Sequence, residues 1–130
     1  MPFLHIRLAG RDLTDSERLH LQDEATRLAV TILGKRADVT AVLVEGSPIA
    51  NWTVGARPQK MAGHFEILIS EGTNTADEKD RFIAAAYGLL QEVLGAPLDA
   101  ATYVVIREIP MENWGYGGRT QENRRIAVAA

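Results

Sequence analysis

The sequence contains no cysteine, which excludes a disulfide framework and any chemistry based on a thiolate. It also has no long apolar run. The N-terminal stretch MPFLHIRLAG is too short and too polar for a signal peptide or a membrane span. We therefore expect a cytoplasmic protein without a membrane partner.

The chain also has no large excess of charge of either sign. Its formal net charge is -3, and acids and bases are interspersed, so no basic stripe is available to neutralise phosphates. This argues against a nucleic acid partner. The three histidines, His5, His20 and His64, lack the spacing with acids or cysteines that metal ligands show. We therefore expect no metal and no cofactor.

What the sequence does contain is a repeat. Residues 48–52 read PIANW, and residues 110–114 read PMENW, 62 residues later. Further upstream, residues 14–17 (TDSE) and 75–78 (TADE) both fit the capping box that begins a helix. A chain of 130 residues, of which 46% are hydrophobic, is long enough for one core. The sequence therefore predicts a tandem duplication within a single domain over residues 1–130, with repeats at about 2–56 and 63–118.

Each repeat has the pattern of a strand, a helix and a second strand. After each capping box, apolar residues recur at helical spacing, and a glycine then ends the helix, at Gly34 and at Gly95. Strand-like runs flank the helices at residues 3–8, 39–44, 65–69 and 103–109. The expected core stripes are Leu21, Ala25, Leu28 and Ile32 in the first helix, and Phe82, Ala86, Leu89 and Val93 in the second.

The predicted fold class is α/β (α+β). Two βαβ units pool their strands into one four-stranded sheet with both helices on one face. The other face must still be covered, which predicts an oligomer. The glycine-containing segment after each NW pair is expected to form a tight turn or a short hairpin that could lie on a neighbouring subunit.

Several motifs then resemble a known family. Pro2 follows the initiator methionine, Gly10 and Arg11 follow the first strand, and residues 108–118 read EIPMENWGYGG. Over nearly the whole chain, these features resemble the tautomerase superfamily, whose small members related to 4-oxalocrotonate tautomerase are single βαβ units beginning with proline. The length and the duplication resemble the fused members, which implies a homotrimer.

The resemblance implies a site built around the N-terminal proline. A terminal α-amine has an ordinary pKa of about 7.7–8.0, and burial beside an arginine would lower that pKa further, so that the nitrogen accepts a proton. By resemblance, Pro2 is the catalytic base, Arg11 binds the substrate carboxylate and stabilises the enolate, and Trp114 keeps the pocket apolar. The amine exists only if Met1 is removed; otherwise Pro2 merely begins an edge strand.

The sequence departs from the family pattern at two places. The family's second arginine falls on Ala41 and Tyr103. In its place Tyr103 is expected to donate a hydrogen bond to the substrate, or Arg107, Arg57 or Arg119 to reach the substrate from elsewhere. The second repeat has no counterpart of Arg11, because residues 72–73 read GT, so we expect one active site per chain. The expected reaction is a cofactor-free keto–enol isomerisation of a small-molecule 2-keto acid. A monocarboxylate such as phenylenolpyruvate is expected to fit better than the dicarboxylate 2-hydroxymuconate.

Two alternatives stay open from the sequence. The same scaffold carries dehalogenases and decarboxylases of the malonate-semialdehyde type, which need a carboxylate or an arginine pair to activate water or to position a β-keto acid. A non-catalytic trimer that binds an anion or a protein is favoured if Met1 is retained or if Arg11 points to solvent. At the C-terminus, Arg119, Arg124 and Arg125 are expected to belong to a solvated tail.

Overall fold

The computed structural model describes residues 2–129, so the predicted removal of Met1 concerns a residue outside the described part of the chain. Three helices and eight strands lie within it. Their bounds are β1 (Phe3–Ala9), α1 (Asp15–Leu33), β2 (Ala41–Ser47), β3 (Thr53–Val54), β4 (Arg57–Pro58), β5 (Ala62–Ser70), α2 (Ala76–Leu94), β6 (Tyr103–Ile109), β7 (Gly115–Tyr116), β8 (Arg119–Thr120) and α3 (Gln121–Ala129). No described helix is both long enough and apolar enough to span a bilayer.

The four long strands form one mixed sheet in the order β2-β1-β5-β6. Within each repeat the two strands are parallel, as a βαβ crossover requires, and the repeats join through the antiparallel pair β1 and β5. In that pair Phe3 lies opposite Leu68 and Ala9 lies opposite Ala62. The predicted duplication and four-stranded sheet are confirmed.

Both long helices begin as the sequence predicts. The hydroxyl of Thr14 accepts from the amide of Glu17 while the Glu17 carboxylate accepts from the amide of Thr14, and Thr75 and Glu78 repeat this arrangement. Gly34 follows α1 in the left-handed conformation and donates to carbonyls of the last turn. The predicted starts and ends of both helices are therefore confirmed.

The core lies between the sheet and the two long helices. On one face of the sheet, alternate residues of β1 and β5 are buried against apolar residues of α1 and α2. Phe65 and Phe82 meet there edge to face, with ring centroids 5.8 Å apart. Six of the eight predicted helix residues are buried, whereas Ile32 and Val93 are only partly buried and Leu33 and Leu94 are buried beside them. Both helices therefore cover one face of the sheet, as predicted.

Two local predictions need correction, and a third is confirmed. Residues 39–40 are not in a strand, because Ala37–Val39 forms a 3-10 turn before β2 begins. Each NW pair is followed by a two-stranded hairpin, formed by β3 with β4 and by β7 with β8, which confirms that prediction. The expected solvated tail is wrong for residues 121–129, since they form the helix α3, which contacts the turn at Met111–Asn113.

Candidate active site

Pro2 lies buried at one end of the sheet, where the interior strand β1 begins. Its ring is among the fully buried side chains, and its carbonyl accepts from the amide of Ala41 in β2 at 3.3 Å. One step beyond the pairing of Phe3 with Leu68, the register sets Pro2 opposite Ile69 in β5. The neighbours of Pro2 in the sheet are therefore the start of β2 and the end of β5.

Arg11 lies at the opposite end of the same strand. The seven residues of β1 alone separate the two ends by roughly 20 Å at about 3.3 Å per residue. Arg11 forms an ion pair with Glu17 and donates to the carbonyl of Val93 at 3.2 Å, and its side chain is 29% exposed. A single chain therefore does not bring Pro2 and Arg11 together, although the sequence analysis placed both in one site.

A cavity of about 330 Å³ opens at the Pro2 end of the sheet. It is bounded by Val39, which precedes β2, and by Ser70, which ends β5, so it lies at the same end of the sheet as Pro2, although Pro2 itself is not among its lining residues. We call this cavity the Pro2 pocket. Its other lining residues are Lys35, Arg36, Thr73, Met111, Tyr116, Gln121, Arg124, Arg125 and Val128.

One wall of the Pro2 pocket carries two cations that follow α1. Lys35 donates from Nζ to the hydroxyl of Thr73 at 2.9 Å, and burial lowers the pKa of its ammonium. Arg36 is exposed and pairs with Asp38 at 2.7 Å. The hydroxyl of Thr73 in turn donates to the carbonyl of Ser70 at 2.7 Å. Among residues 2–129, no carboxylate forms an ion pair with Lys35. Lys35 therefore gives this wall a positive charge.

The opposite wall is formed by α3. The guanidinium of Arg124 lies 3.8 Å from the ring centroid of Tyr116 and donates from Nη2 to the Tyr116 carbonyl at 2.9 Å. Two buried donor atoms in the described chain have no hydrogen-bond partner, Nε of Arg124 and Nε2 of Gln121, and both residues line this pocket. Arg125, by contrast, pairs with Glu122 at 2.5 Å.

The two tryptophans lie at opposite ends of the molecule. Trp114 donates from Nε1 to the hydroxyl of Ser70 at 3.1 Å, which places the indole beside the Pro2 pocket although it does not line that pocket. Trp52 follows β2, whose last residue, Ser47, pairs with Ala9 at the far end of β1. Of the two matched indoles, only Trp114 therefore lies near Pro2.

Tyr103 and Arg107 lie on β6, two strands away from β1. Tyr103 is 68% exposed and begins the strand at the level of His64, toward the end of the sheet that holds Arg11. Arg107 pairs with Glu66 through Nε at 3.0 Å on the sheet face that the helices leave open. Neither side chain lines the Pro2 pocket of its own chain.

The sequence analysis missed the cationic walls of the Pro2 pocket. Lys35 is the first residue after the glycine that ends α1, and Arg124 belongs to the segment that was interpreted as a tail. One signal was present. The GT pair at residues 72–73 marks the second-repeat counterpart of Arg11, and in an antiparallel duplication that position lies beside Pro2. Thr73 does line the pocket, with Lys35 bound to it.

Sequence comparisons identify related proteins. The family model described as Tautomerase enzyme matches residues 2–60 and 64–124, one range in each repeat. The probable tautomerase K2 of Dickeya dadantii (strain 3937) is 39% identical to this chain over 59 residues, which are 45% of this chain and 87% of that protein.

Solved structures share the fold. The R7 fused 4-OT wild type asymmetric trimer has a TM-score of 0.79 to this chain at 24% identity, over 98% of this chain and 99% of that chain. Pt0534 inactivated by 2-oxo-3-pentynoate has a TM-score of 0.81 at 19% identity, over 92% of this chain and 96% of that chain. The duplicated βαβ sheet is thus the fold of fused 4-OT proteins. Because the family model matches both repeats, the chain belongs to the tautomerase family.

Proposed function

We propose that this protein is a cofactor-free tautomerase that interconverts the enol and keto forms of 2-keto acids of the phenylenolpyruvate or 2-hydroxymuconate type. Pro2 is the general base, in a form of the chain from which Met1 has been removed. The observation that carries the proposal is the burial of Pro2 at the end of the sheet where a cavity opens, with Lys35 and Arg124 in the walls of that cavity and neither of them in an ion pair within residues 2–129.

The environment of Pro2 suits a base. In Met1-free protein, burial would disfavour the charged form of the terminal amine, and positive charge in the pocket would act in the same direction. A neutral amine then removes the proton from the enol hydroxyl and returns it to carbon. The negative charge that develops on the substrate is stabilised by the ammonium of Lys35.

The fold also indicates how the remaining predicted residues would contribute. Arg11 is separated from its own Pro2 by the length of β1, so we propose that it reaches substrate only at the site of a neighbouring protomer in a homotrimer. We assign Tyr103 and Arg107 to the open face of the sheet, where they contact substrate only across the same protomer interface. Trp114, held by Ser70, shields the Pro2 end of the pocket from water.

The character of the pocket favours isomerisation over the hydrolytic reactions of related proteins. Within residues 2–129, none of the residues that line the Pro2 pocket is an aspartate or a glutamate. A dehalogenase that activates water needs such a carboxylate, whereas proton transfer within one substrate needs only a base, orientation and stabilisation of charge. We therefore rank tautomerase above dehalogenase or decarboxylase and above a non-catalytic anion-binding trimer.

The test is ketonisation of phenylenolpyruvate and 2-hydroxymuconate, followed by ultraviolet absorbance with protein shown by mass spectrometry to lack Met1. Wild type should turn over at least one enol, and Pro2→Ala should lose about 10²–10⁴-fold in kcat, the usual contribution of a general base. Ile126→Ala, at an exposed position of α3 that does not line the pocket, is the control and should retain a kcat within a few-fold of wild type. Equal rates for wild type and Pro2→Ala would overturn the proposal.

A further inference from the structure

We infer that Arg124 of α3 is the group that anchors the substrate carboxylate in the Pro2 pocket, and that it selects 2-keto acids with one carboxylate and a compact apolar substituent. The inference rests on the proposed function, because it concerns the same site. Neither the sequence repeat nor the pairing of strands provides this arginine, since α3 follows both βαβ units.

The first argument is geometric. Arg124 is held in place from two sides, by the Tyr116 ring at 3.8 Å and by the Tyr116 carbonyl at 2.9 Å from Nη2. Its Nε is buried without a partner, and Nε2 of Gln121, one turn earlier on α3, is buried without a partner as well. Buried donors almost always find an acceptor. A carboxylate has two oxygens and no donor, so it satisfies two such atoms at once.

The second argument is the balance of charge in the pocket. Of the four cations that line it, Arg36 pairs with Asp38 and Arg125 pairs with Glu122. Within residues 2–129, Lys35 and Arg124 form no ion pair with a carboxylate: Lys35 contacts the Thr73 hydroxyl, and Arg124 contacts Tyr116. The pocket therefore presents two cations without a directly paired carboxylate, one on each wall, and the carboxylate charges that act on Lys35 are those of Glu78 and Glu108.

The two charges suit the two sites of negative charge on a reacting 2-keto acid. Arg124 offers a planar fork, which matches a carboxylate, whereas the ammonium of Lys35 is a compact charge that matches an enolate oxygen. With Lys35 engaged in this way, a second carboxylate has no unpaired cation left in the pocket. The remaining wall residues Val39, Met111 and Val128 are apolar, which suits an apolar substituent.

The inference is tested by binding, so that it does not depend on turnover. In the Pro2→Ala background, calorimetry measures the Kd of phenylpyruvate and of its methyl ester, which has no carboxylate charge. Arg124→Gln should weaken binding of the acid by about 10–100-fold, the usual range for a charge-assisted bidentate pair, and should change binding of the ester by less than about threefold. Arg124→Lys should recover part of the affinity for the acid.

The matched control is Arg81→Gln, which removes the same charge from an exposed position on α2, where Arg81 pairs with Asp77 at 3.1 Å outside the pocket. Its Kd for the acid should stay within about threefold of the parent protein, which separates a specific anchor from a general loss of positive charge. Equal weakening of acid and ester by Arg124→Gln would show that the residue only holds α3 in place and would overturn the inference. Unchanged binding of the acid would overturn it as well.

This design separates the two proposals. If wild type binds the acid through Arg124 but Pro2→Ala turns over enols as fast as wild type, the proposed proton transfer fails while the carboxylate anchor stands. If Pro2 proves essential and Arg124→Gln leaves the Kd of the acid and the KM of the enol unchanged, the anchor fails while the proposed function stands.

Discussion

Gly10 and Gly72 occupy matched positions in the two repeats but have different surroundings. Both have positive φ angles, 100° and 77°, which other residues adopt only with strain. A Cβ at position 10 would overlap the carbonyl of Lys60, whereas a Cβ at position 72 would meet no atom within 4 Å. Both repeats therefore require a residue that tolerates a positive φ angle at this position, but only Gly10 is packed closely against another segment.

We expect Gly10→Ala to destabilise the protein more than Gly72→Ala. Both substitutions force alanine into the left-handed region at about 1–2 kcal/mol, and Gly10→Ala adds a further cost of about 1–3 kcal/mol for overpacking against Lys60. Urea unfolding followed by tryptophan fluorescence measures both free energies. Equal losses in the two variants would contradict the packing that the structure shows at Gly10.

The cations around Pro2 show which part of the site the sequence could reveal. Pro2 and Arg11 were found as a motif, and within one chain the two lie apart because β1 is an extended strand that separates its ends. Lys35 and Arg124 are 89 residues apart in the chain, and only the antiparallel union of the repeats and the docking of α3 bring them to one cavity. Local patterns do not contain that information.

At the scale of elements, the sequence was most informative where interactions are local. A capping box spans four residues, so its signature is complete within the sequence, and both predicted boxes are present. The start of β2 was placed too early because the apolar residues of the 3-10 turn at Ala37–Val39 continue the apolar pattern of the strand. Most residues of α3 are exposed, apart from those that line the pocket, and for this reason the sequence did not predict the helix.

The two capping boxes should stabilise their helices equally. Thr14→Ala and Thr75→Ala each remove a hydroxyl that accepts from an amide at 3.1 Å, and each should lower the free energy of unfolding by about 1 kcal/mol. Thr31→Ala is the control, because Thr31 lies on the exposed face of α1 and its hydroxyl donates only to the carbonyl of Arg27. Chemical denaturation should show no loss for it. A cap variant as stable as Thr31→Ala would refute the capping role.

At the scale of the whole molecule, one face of the sheet has no helix against it. That face carries the partly exposed Leu43 and Tyr103, together with a carboxylate, Glu45, that accepts from His5 and Arg7 at 2.5 Å each. Large exposed apolar residues on a sheet face are typical of surfaces that a partner covers. We propose that this face packs against neighbouring protomers in the homotrimer.

The trimer is tested with two variants of matched exposure. Leu43 is 43% exposed on the open sheet face, and Ile83 is 41% exposed on α2. Sedimentation equilibrium of wild type should give three times the chain mass of 14.2 kDa. Leu43→Lys should lower the mass toward that of one chain, because a charge is buried at the interface, whereas Ile83→Lys should not. A trimer that survives Leu43→Lys would place the interface elsewhere.

Acid should weaken the same face. The hydrogen bond from Arg7, and then that from His5, holds the pKa of Glu45 below its ordinary value of 4.5. A carboxylate with a lowered pKa stabilises the folded state above its unfolded pKa, and this stabilisation is lost as the pH falls through the folded pKa. The stability difference between wild type and Glu45→Gln, measured by urea unfolding from pH 7 to pH 3, should therefore shrink toward acid. A difference independent of pH would contradict this account.

The central claim is that Pro2 carries a neutral, reactive amine, and the most direct measurement is covalent labelling, because it does not require the physiological substrate. A suitable probe is 2-oxo-3-pentynoate, a 2-keto acid whose alkyne is electron-poor. The nucleophilic amine should add to the electron-poor alkyne of the probe. Peptide mass spectrometry of Met1-free protein should find one label per chain, on Pro2, and none in protein that retains Met1, where the nitrogen of residue 2 is an amide. A label on Lys35, or no label, would contradict the account.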